Sequence, residues 1–274
     1  MSNIEPSNGN SLTFEDFKHE NGISYWWASD VMTMFGYPNM KSFQNVLDRA
    51  TKALVSLGIP HYENIIATQR IVDGQNIQDF RLTRFACYLC AMNGDPKKTE
   101  VAAAQAYFAE QTRKFELFIE NSQSIERILI REDLSEGNKS LGSTAKTSGI
   151  EDYAKFTNAG YLGMYNMESW KLAKRRNVEK TKLFEYMGRT ELAANLFRVT
   201  QTDEMIKSRK ITGQANLEQA HYSVGKKVRD IVRENTGISP ENLPQEKQLP
   251  EIKKELKKGY KKMKEQDTLK NKLQ

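Results

Sequence analysis

Three groups of positively charged side chains lie where a protein could contact phosphate. One group lies in or beside a predicted β-hairpin, one on a predicted helix, and one in a dense basic cluster at residues 171–189. The candidates are, in that order, Arg70, Arg81 and Arg84; Lys41, Arg49 and Lys52; and Lys174, Arg175 and Arg176. Guanidinium groups suit phosphate oxygens and guanine edges, and a major groove about 12 Å wide admits a helix or a two-stranded ribbon. The pattern therefore predicts a DNA-binding surface.

Each group also has an ordinary explanation. Any single arginine or lysine in the hairpin or the helix could be a surface cation or half of an ion pair. The cluster at 171–189 holds seven cations and two acids. It could be a phosphate-contact surface, or a helix end where cations offset the helix dipole, followed by a solvated face. The sequence leaves these alternatives open.

Catalytic and metal-binding patterns are weak. The sequence contains no G-x-x-x-x-G-K-[ST], no H-E-x-x-H, no nucleophile elbow and no dinucleotide fingerprint. Its three histidines lie in separate segments. Cys87 and Cys90 form a C-x-x-C inside an apolar predicted helix without a second pair, so we expect buried core cysteines. We predict no catalytic residue, no metal and no cofactor.

A nuclease is the enzyme alternative, because Glu191 and Asp203 are carboxylates that could hold Mg²⁺. Both lie on predicted helices and are spaced like residues of solvated faces. A nuclease would more convincingly present its acids with a lysine on a strand. The sequence therefore disfavours catalysis.

Composition places the chain among ordinary globular proteins. It has 274 residues, of which 38% are hydrophobic and 28% charged. No apolar run approaches the roughly 18 residues of a membrane helix, and the first residues lack the basic and apolar regions of a secretory signal. Two cysteines exclude a disulfide-stapled scaffold. We expect a cytoplasmic protein that does not bind membranes.

The net charge of +6 is concentrated at the end of the chain. Residues 245–274 hold ten lysines and five acids, which leaves the remainder almost neutral. The global charge therefore favours DNA only weakly and instead indicates a detachable basic tail. That tail could form a helix that adds affinity for DNA without sequence preference, or it could only aid solubility.

Periodicity and turn signals predict an α+β, predominantly α fold, with a small N-terminal module that carries a β-hairpin and a helical C-terminal domain. Asp73-Gly74 is the hairpin turn signal. A long helix over 99–130 could dimerise, or pack within one chain, through Val101, Ala104, Phe108 and Phe115. The predicted divisions are disorder at 1–11, a module at 12–134, a linker at 135–149, a helical domain at 150–238 and a basic tail at 239–274.

Several segments resemble the bacterial DNA-damage-inducible protein D family. They are 81–89 (RLTRFACYL), 93–97 (NGDPK), 104–113 (AQAYFAEQTR), 161–165 (YLGMY), 187–202 (MGRTELAANLFRVTQT) and 220–229 (AHYSVGKKVR). Residues 22–120 also look like the BRO N-terminal module of phage antirepressor-like and large-DNA-virus proteins, so the predicted module is BRO-like. Within the second signature, Arg198, Gln201 and Thr202 could cap, pair internally or face a partner.

The resemblance implies DNA binding and a link to the damage response or to mobile elements. We therefore expect a non-enzymatic DNA-binding regulator of the DNA-damage (SOS) response or of prophage genes, acting on duplex or single-stranded DNA. The alternative is a protein that modulates a recombinase filament on single-stranded DNA, which the nearly neutral body favours. A homodimer is a further expectation.

Overall fold

The computed structural model describes residues 13–114 and 121–270. The chain divides into two compact units. The first consists of the described residues of Met1–Ile125 and Lys253–Gln274, and the second is Glu126–Ile252. The predicted disorder at 1–11 lies outside the described residues. No helix in the described part of the chain is long and apolar enough to cross a bilayer.

The first unit contains a four-stranded antiparallel sheet. Its strands are β1 (His19–Glu20), β2 (Ser24–Trp27), β3 (Ile65–Val72) and β4 (Gln75–Leu82), in the order β1-β2-β4-β3. Asp73 and Gly74 connect β3 to β4, and both have positive φ, 50° and 77°. Such a pair forms the type I′ turn that matches strand twist, so the predicted hairpin is confirmed.

The helices of the first unit pack around this sheet. They are α1 (Ala28–Met34), α2 (Met40–Ser56), the single turn α3 (His61–Asn64), α4 (Arg84–Asn93), α5 (Thr99–Lys114) and α11 (Leu249–Lys270). The Asn39 side chain caps α2 by accepting a hydrogen bond from the Ser42 amide, and Thr83 caps α4 in the same way through Ala86. Trp26, Phe43 and Phe85 are among the side chains that fill the core.

The structure tests two of the sequence-based predictions for this unit. Cys87 and Cys90 are free and buried in α4, and burial raises the pKa of the Cys90 thiol to about 12. Both are core cysteines, as predicted. Val101 and Phe108 of α5 are also fully buried, so packing within one chain, rather than dimerisation, explains them. Phe115 lies outside the described residues.

The second unit is helical, which confirms the predicted fold class. It contains α6 (Asn121–Thr147), α7 (Tyr153–Tyr165), α8 (Ser169–Arg175), α9 (Arg189–Arg209) and α10 (Gln214–Thr236). Short 3₁₀ segments lie at Lys180–Tyr186 and Pro240–Asn242. A Cβ atom on Gly163 would lie 2.2 Å from the Tyr222 carbonyl oxygen, so α7 and α10 approach at backbone distance and require glycine there.

The linker expected at 135–149 is helical through residue 147 and belongs to α6. Its small polar residues suggested flexibility. However, Leu134, Leu141 and Ala145 recur on one face of the helix and are buried in the core of the second unit. Gly142 packs against Tyr153, where a Cβ would lie 3.1 Å from the phenol oxygen. Tertiary burial therefore outweighs the low helix propensity of this segment.

The basic tail expected at 239–274 forms a helix in its described part, α11, as the sequence allowed, but it is packed rather than detachable. Leu249, Ile252, Leu256 and Met263 recur every three to seven residues and are buried, whereas most lysines lie on the exposed side. The helix is therefore amphipathic. From Lys253 onward it belongs to the first unit, where Tyr260 packs edge-on against Phe85 at a centroid distance of 5.3 Å.

Candidate nucleic-acid interface

One face of the sheet combines aromatic rings with two arginines. Side chains alternate across a strand, so Tyr25 and Trp27 share a face of β2, and the pairing of Trp27 with Arg81 places Arg81 on that face of β4. The register of β3 against β4 brings Arg70 to the same side. With His19 of β1, whose ring stacks on Tyr25 at 5.5 Å, these residues form what we call the aromatic–arginine face.

Arg81 occupies the centre of the aromatic–arginine face. Its guanidinium carbon lies 5.0 Å from the centroid of the Tyr25 ring and 5.4 Å from that of Trp27. Among the described residues the Arg81 side chain forms no ion pair and no hydrogen bond, and its Nε is buried without a partner. The rings hold a positively charged group in place without neutralising it. This is the arrangement that an external phosphate or base would complete.

Arg70 is held differently on the same face. Its Nη1 donates to Asp30 at 2.7 Å and to the Ser29 hydroxyl at 2.8 Å, while its guanidinium carbon lies 5.1 Å from the Trp27 ring. Asp79, whose side chain is fully buried, accepts hydrogen bonds from the Ser29 amide and hydroxyl. Arg70 is thus fixed in place, but Asp30 neutralises much of its charge.

Arg84 does not belong to this surface, and its prediction as a DNA contact is corrected. Its side chain is only 3% exposed and pairs with Asp267 of α11 at 2.9 Å and with Glu15. Burial alone lowers the pKa of the Arg84 guanidinium, but the hydrogen bonds it donates to Glu15 and the charge of Asp267 raise that pKa overall above its ordinary value. Arg84 therefore serves the core of the first unit.

The three predicted cations of α2 are exposed. Lys41, Arg49 and Lys52 lie on the side opposite the buried residues of that helix. The Arg49 Nε donates to the Asn93 side chain at 3.3 Å. No ion pair or hydrogen bond within the described ranges joins these three side chains to the hairpin. They remain candidate contacts, but the described contacts do not link them to the aromatic–arginine face.

The basic cluster at 171–189 in the second unit is largely neutralised. Lys171 pairs with Glu168 at 3.2 Å and Lys182 with Glu179 at 2.9 Å, both one helical turn away. Arg189 pairs with Glu126 at 2.9 Å. Lys174 and Arg175 are exposed, and Arg175 donates to the Asn242 side chain. Those two are the predicted residues of this cluster that face solvent.

Arg176, the third predicted residue of the cluster, is buried, and its prediction as a DNA contact is also corrected. Its guanidinium pairs with the Glu191 carboxylate at 2.9 Å and donates to the Pro240 carbonyl at 3.2 Å. Burial raises the pKa of Glu191, although the Arg176 charge acts in the opposite direction. The pair anchors α8 to α9 inside the second unit.

The pair belongs to a continuous buried polar network. We use that name for Tyr165, Arg176, Glu191, Asn195, Arg198 and His221. The Tyr165 hydroxyl donates to Glu191 at 2.8 Å and accepts from Asn195 at 2.6 Å. Asn195 in turn accepts from Arg198 at 3.1 Å. The network therefore connects four helices through side chains of the signature at 187–202.

At its far end the network holds a neutral histidine. The His221 Nδ1–H donates to the Phe156 carbonyl at 3.0 Å, and its Nε2 accepts from Arg198. Burial and the positive charge of Arg198 lower the pKa of His221 well below its usual value of 6.5. Of the signature residues left open, Arg198 thus pairs internally and Thr202 bonds the Arg198 carbonyl, whereas Gln201 is exposed.

The carboxylates of the nuclease alternative are both engaged by other side chains. Glu191 belongs to the polar network, and Asp203 accepts from Ser140 at 2.7 Å and Lys207 at 2.8 Å. Within the described ranges, no group of three or more His, Cys, Asp or Glu residues has a geometry that could hold a metal ion.

The aromatic rings of the face were missed as site residues. Their signal is the spacing of Tyr25 and Trp27, two residues apart on a predicted strand, with Arg81 on the return strand of the hairpin. Reading the alternation of that strand would have placed both rings on one side of the sheet. The neighbouring Trp26, which faces the core, conceals the pattern.

Comparison with known proteins gives matches in both units. Residues 120–254 match the family model described as the DinD C-terminal domain. Residues 16–109 match that of the BRO family, N-terminal domain. Over 250 residues the chain is 38% identical to DNA damage-inducible protein D of Escherichia coli (strain K12), which covers 84% of this chain and 90% of the relative. The regions matched by the two family models include five of the six segments that suggested the resemblance in full, and residues 104–109 of the segment at 104–113.

Proposed function

Because this chain belongs to the DNA damage-inducible protein D family, we propose that it is a non-enzymatic, cytoplasmic regulator of the bacterial DNA-damage response that binds DNA through its first unit. The name of its relative supports the link to DNA damage. The engagement of Glu191 and Asp203 by neighbouring side chains supports a role without catalysis.

The observation that carries the DNA-binding proposal is the state of Arg81. An arginine at a protein surface normally finds a carboxylate or water, whereas the half-buried Arg81 side chain lies beside the Tyr25 and Trp27 rings with its charge unpaired among the described residues. A guanidinium held rigidly loses little conformational entropy when it binds phosphate. The adjacent rings of Tyr25 and His19 also offer surfaces on which unpaired bases stack.

Two other regions add contacts in this proposal. Lys41, Arg49 and Lys52 of α2 position the first unit on phosphates, and Lys174 with Arg175 supply a second, weaker contact from the second unit. The exposed lysines of α11 contribute affinity that is independent of sequence, through release of counterions. Arg84 and Arg176 take no part, because both are buried in ion pairs.

The test is a salt titration of binding to duplex and single-stranded DNA. We expect Arg81→Ala to weaken binding about tenfold and to reduce the slope of log K against log salt by about 1. Arg233→Ala is the matched control, since Arg233 is an exposed arginine of the second unit. Equal affinities for the Arg81→Ala and Arg233→Ala variants would overturn the role of the aromatic–arginine face.

A protein partner is the second candidate function, and one feature of the second unit favours it. An open groove between α6 and α9 is lined by the apolar side chains of Ile130, Leu196 and Phe197 and by the acidic residues Asp133 and Glu136. Phe197 is 49% exposed. A groove of this kind suits an apolar segment with basic flanks rather than DNA, as a recombinase filament could supply. Binding to such a filament that persists in Arg81→Ala and is lost in Phe197→Asp would support this candidate.

A further inference from the structure

The two edges of the sheet in the first unit are built differently. β1 has only two residues, whereas β3 has eight and pairs with β4 through its whole length without a bulge. Proteins normally protect an exposed edge with lysine, proline, a bulge or a very short strand. β1 follows this rule, and β3 uses none of these devices. Apart from the Ile65 amide, which donates to the His61 carbonyl, the backbone groups of β3 that point away from β4 have no partner among the described residues.

The side chains of β3 are apolar on both faces. Ile66 is 44% exposed and Ile71 is 73% exposed, and they point to opposite sides of the sheet. Arg70 is the one charged residue of the strand, and its ion pair with Asp30 removes it as a source of repulsion. The edge therefore combines free hydrogen-bonding groups with exposed apolar surface.

We propose that β3 is the interface of a homodimer, in which the β3 strands of two copies pair antiparallel about a two-fold axis at Gln69. In a continuous sheet such an axis places residues of the same face opposite each other, so the residue numbers of each pair sum to 138. Ile66 then lies opposite Val72 of the second copy, Ala67 opposite Ile71, and Thr68 opposite Arg70. Each apolar residue of this set meets another apolar residue.

The neighbouring registers fit less well. An axis at Thr68 places Ile66 opposite Arg70, and an axis at Arg70 places two arginines directly opposite each other, which is destabilising. The strand is therefore complementary to itself in one register, which identifies a second copy, rather than an unrelated peptide, as the occupant.

A cleft beside the start of β3 suits the same arrangement. It is lined by Ile23, Tyr62, Ile66, Phe85 and Tyr260, and Ile23 and Tyr62 are 64% and 66% exposed at its mouth. In the proposed register Val72 of the second copy lies opposite Ile66, so the partner's hairpin turn covers this apolar mouth. The dimer thus buries surface beyond the strand itself.

The first experiment is cysteine cross-linking of the full chain. Gln69→Cys places the thiols of the two copies opposite each other on the axis, within the Cα separation that a disulfide bridges. Gln78→Cys is the matched control, because Gln78 pairs with Gln69 inside the hairpin and lies about 14 Å from its copy across the axis. Cys87 and Cys90 are buried and free, so they contribute little background.

We expect Gln69→Cys to form the disulfide-linked dimer about tenfold faster than Gln78→Cys under mild oxidation, as read on a non-reducing gel. Equal rates for the two variants would overturn the proposal. The measurement requires no DNA, so its failure leaves the proposed DNA contact of Arg81 untouched.

A second measurement uses sedimentation equilibrium on the unlabelled chain. We expect the native chain to dimerise, and Ile71→Lys to raise the dissociation constant at least about tenfold, because it places a charge opposite Ala67 in the buried strand pair. Val55→Lys, at a residue of α2 that is 60% exposed, should leave it unchanged. A native chain that stays monomeric, or equal effects of the two lysines, would overturn the proposal.

Discussion

In the first unit, the Arg81 guanidinium lies beside two aromatic rings with its charge unpaired among the described residues, whereas in the second unit Arg176 and Arg198 lie buried inside a hydrogen-bonded network. All three occur in segments whose residue types suggested contact with a partner. The three arginines differ in their surroundings. Aromatic rings orient a cation without using its hydrogen-bond donors, whereas a buried carboxylate or amide accepts hydrogen bonds from those donors.

The comparison teaches that a family signature need not mark a binding surface. Glu191, Asn195 and Arg198 recur every three or four residues of α9 and all point into the second unit. A buried charged residue is tolerated only when its partners are in place, so each member constrains the identity of the others. The signature at 187–202 therefore has a structural explanation for its charged residues.

The largest expected effect tests that explanation in the second unit. Glu191→Ala leaves Arg176 buried without its carboxylate, and we expect the free energy of unfolding to fall by about 4 kcal/mol. Urea denaturation followed by circular dichroism measures it. Glu204→Ala, at an exposed glutamate of the same helix, should change it by less than about 0.5 kcal/mol. Similar losses in both variants would mean that the network does not hold the unit together.

The next effect contrasts two arginines of the first unit that are three positions apart. Arg84→Ala leaves the Asp267 carboxylate buried without its guanidinium partner, and we expect it to cost about 3 kcal/mol of stability. It should leave DNA affinity unchanged at a temperature where the variant is folded, the reverse of Arg81→Ala. Thermal melting and DNA titration on both variants check this. A loss of DNA affinity in folded Arg84→Ala would return this residue to the interface.

The difference between Arg81 and Arg84 shows which features of the first unit the sequence could not predict. The hairpin, its turn at Asp73-Gly74 and the core cysteines follow from local chemistry and were predictable. Arg84 pairs with Asp267, a residue 183 positions away in the sequence, and no local sequence pattern predicts such a partner. The position of an arginine near a hairpin therefore does not predict whether its side chain is exposed, because that depends on which distant carboxylate the fold brings next to it.

The same reasoning explains the errors at 135–149 and in the tail. The composition of residues 135–149 predicted a linker. The segment is nevertheless helical, because burial of Leu141 and Ala145 stabilises the helix. The density of lysines predicted a detached tail. However, Leu256 and Met263 lie two helical turns apart on the face opposite the lysines, and both are buried. Apolar periodicity was the more informative signal in both cases, because burial rather than surface composition decides whether a segment packs.

The smallest expected effect concerns His221, the neutral end of the network. Because its pKa in the folded protein is well below 6.5, the unfolded chain binds a proton in a pH range where the folded chain does not. Stability from this group is therefore present above about pH 6.5 and is lost as the pH falls, by at most about 1.4 kcal/mol per pH unit. Urea midpoints between pH 7.5 and pH 5.5 measure the slope. It should flatten in His221→Gln but persist in His61→Gln, whose imidazole is exposed. A slope that is the same in all three proteins would show that burial and the charge of Arg198 do not hold His221 neutral.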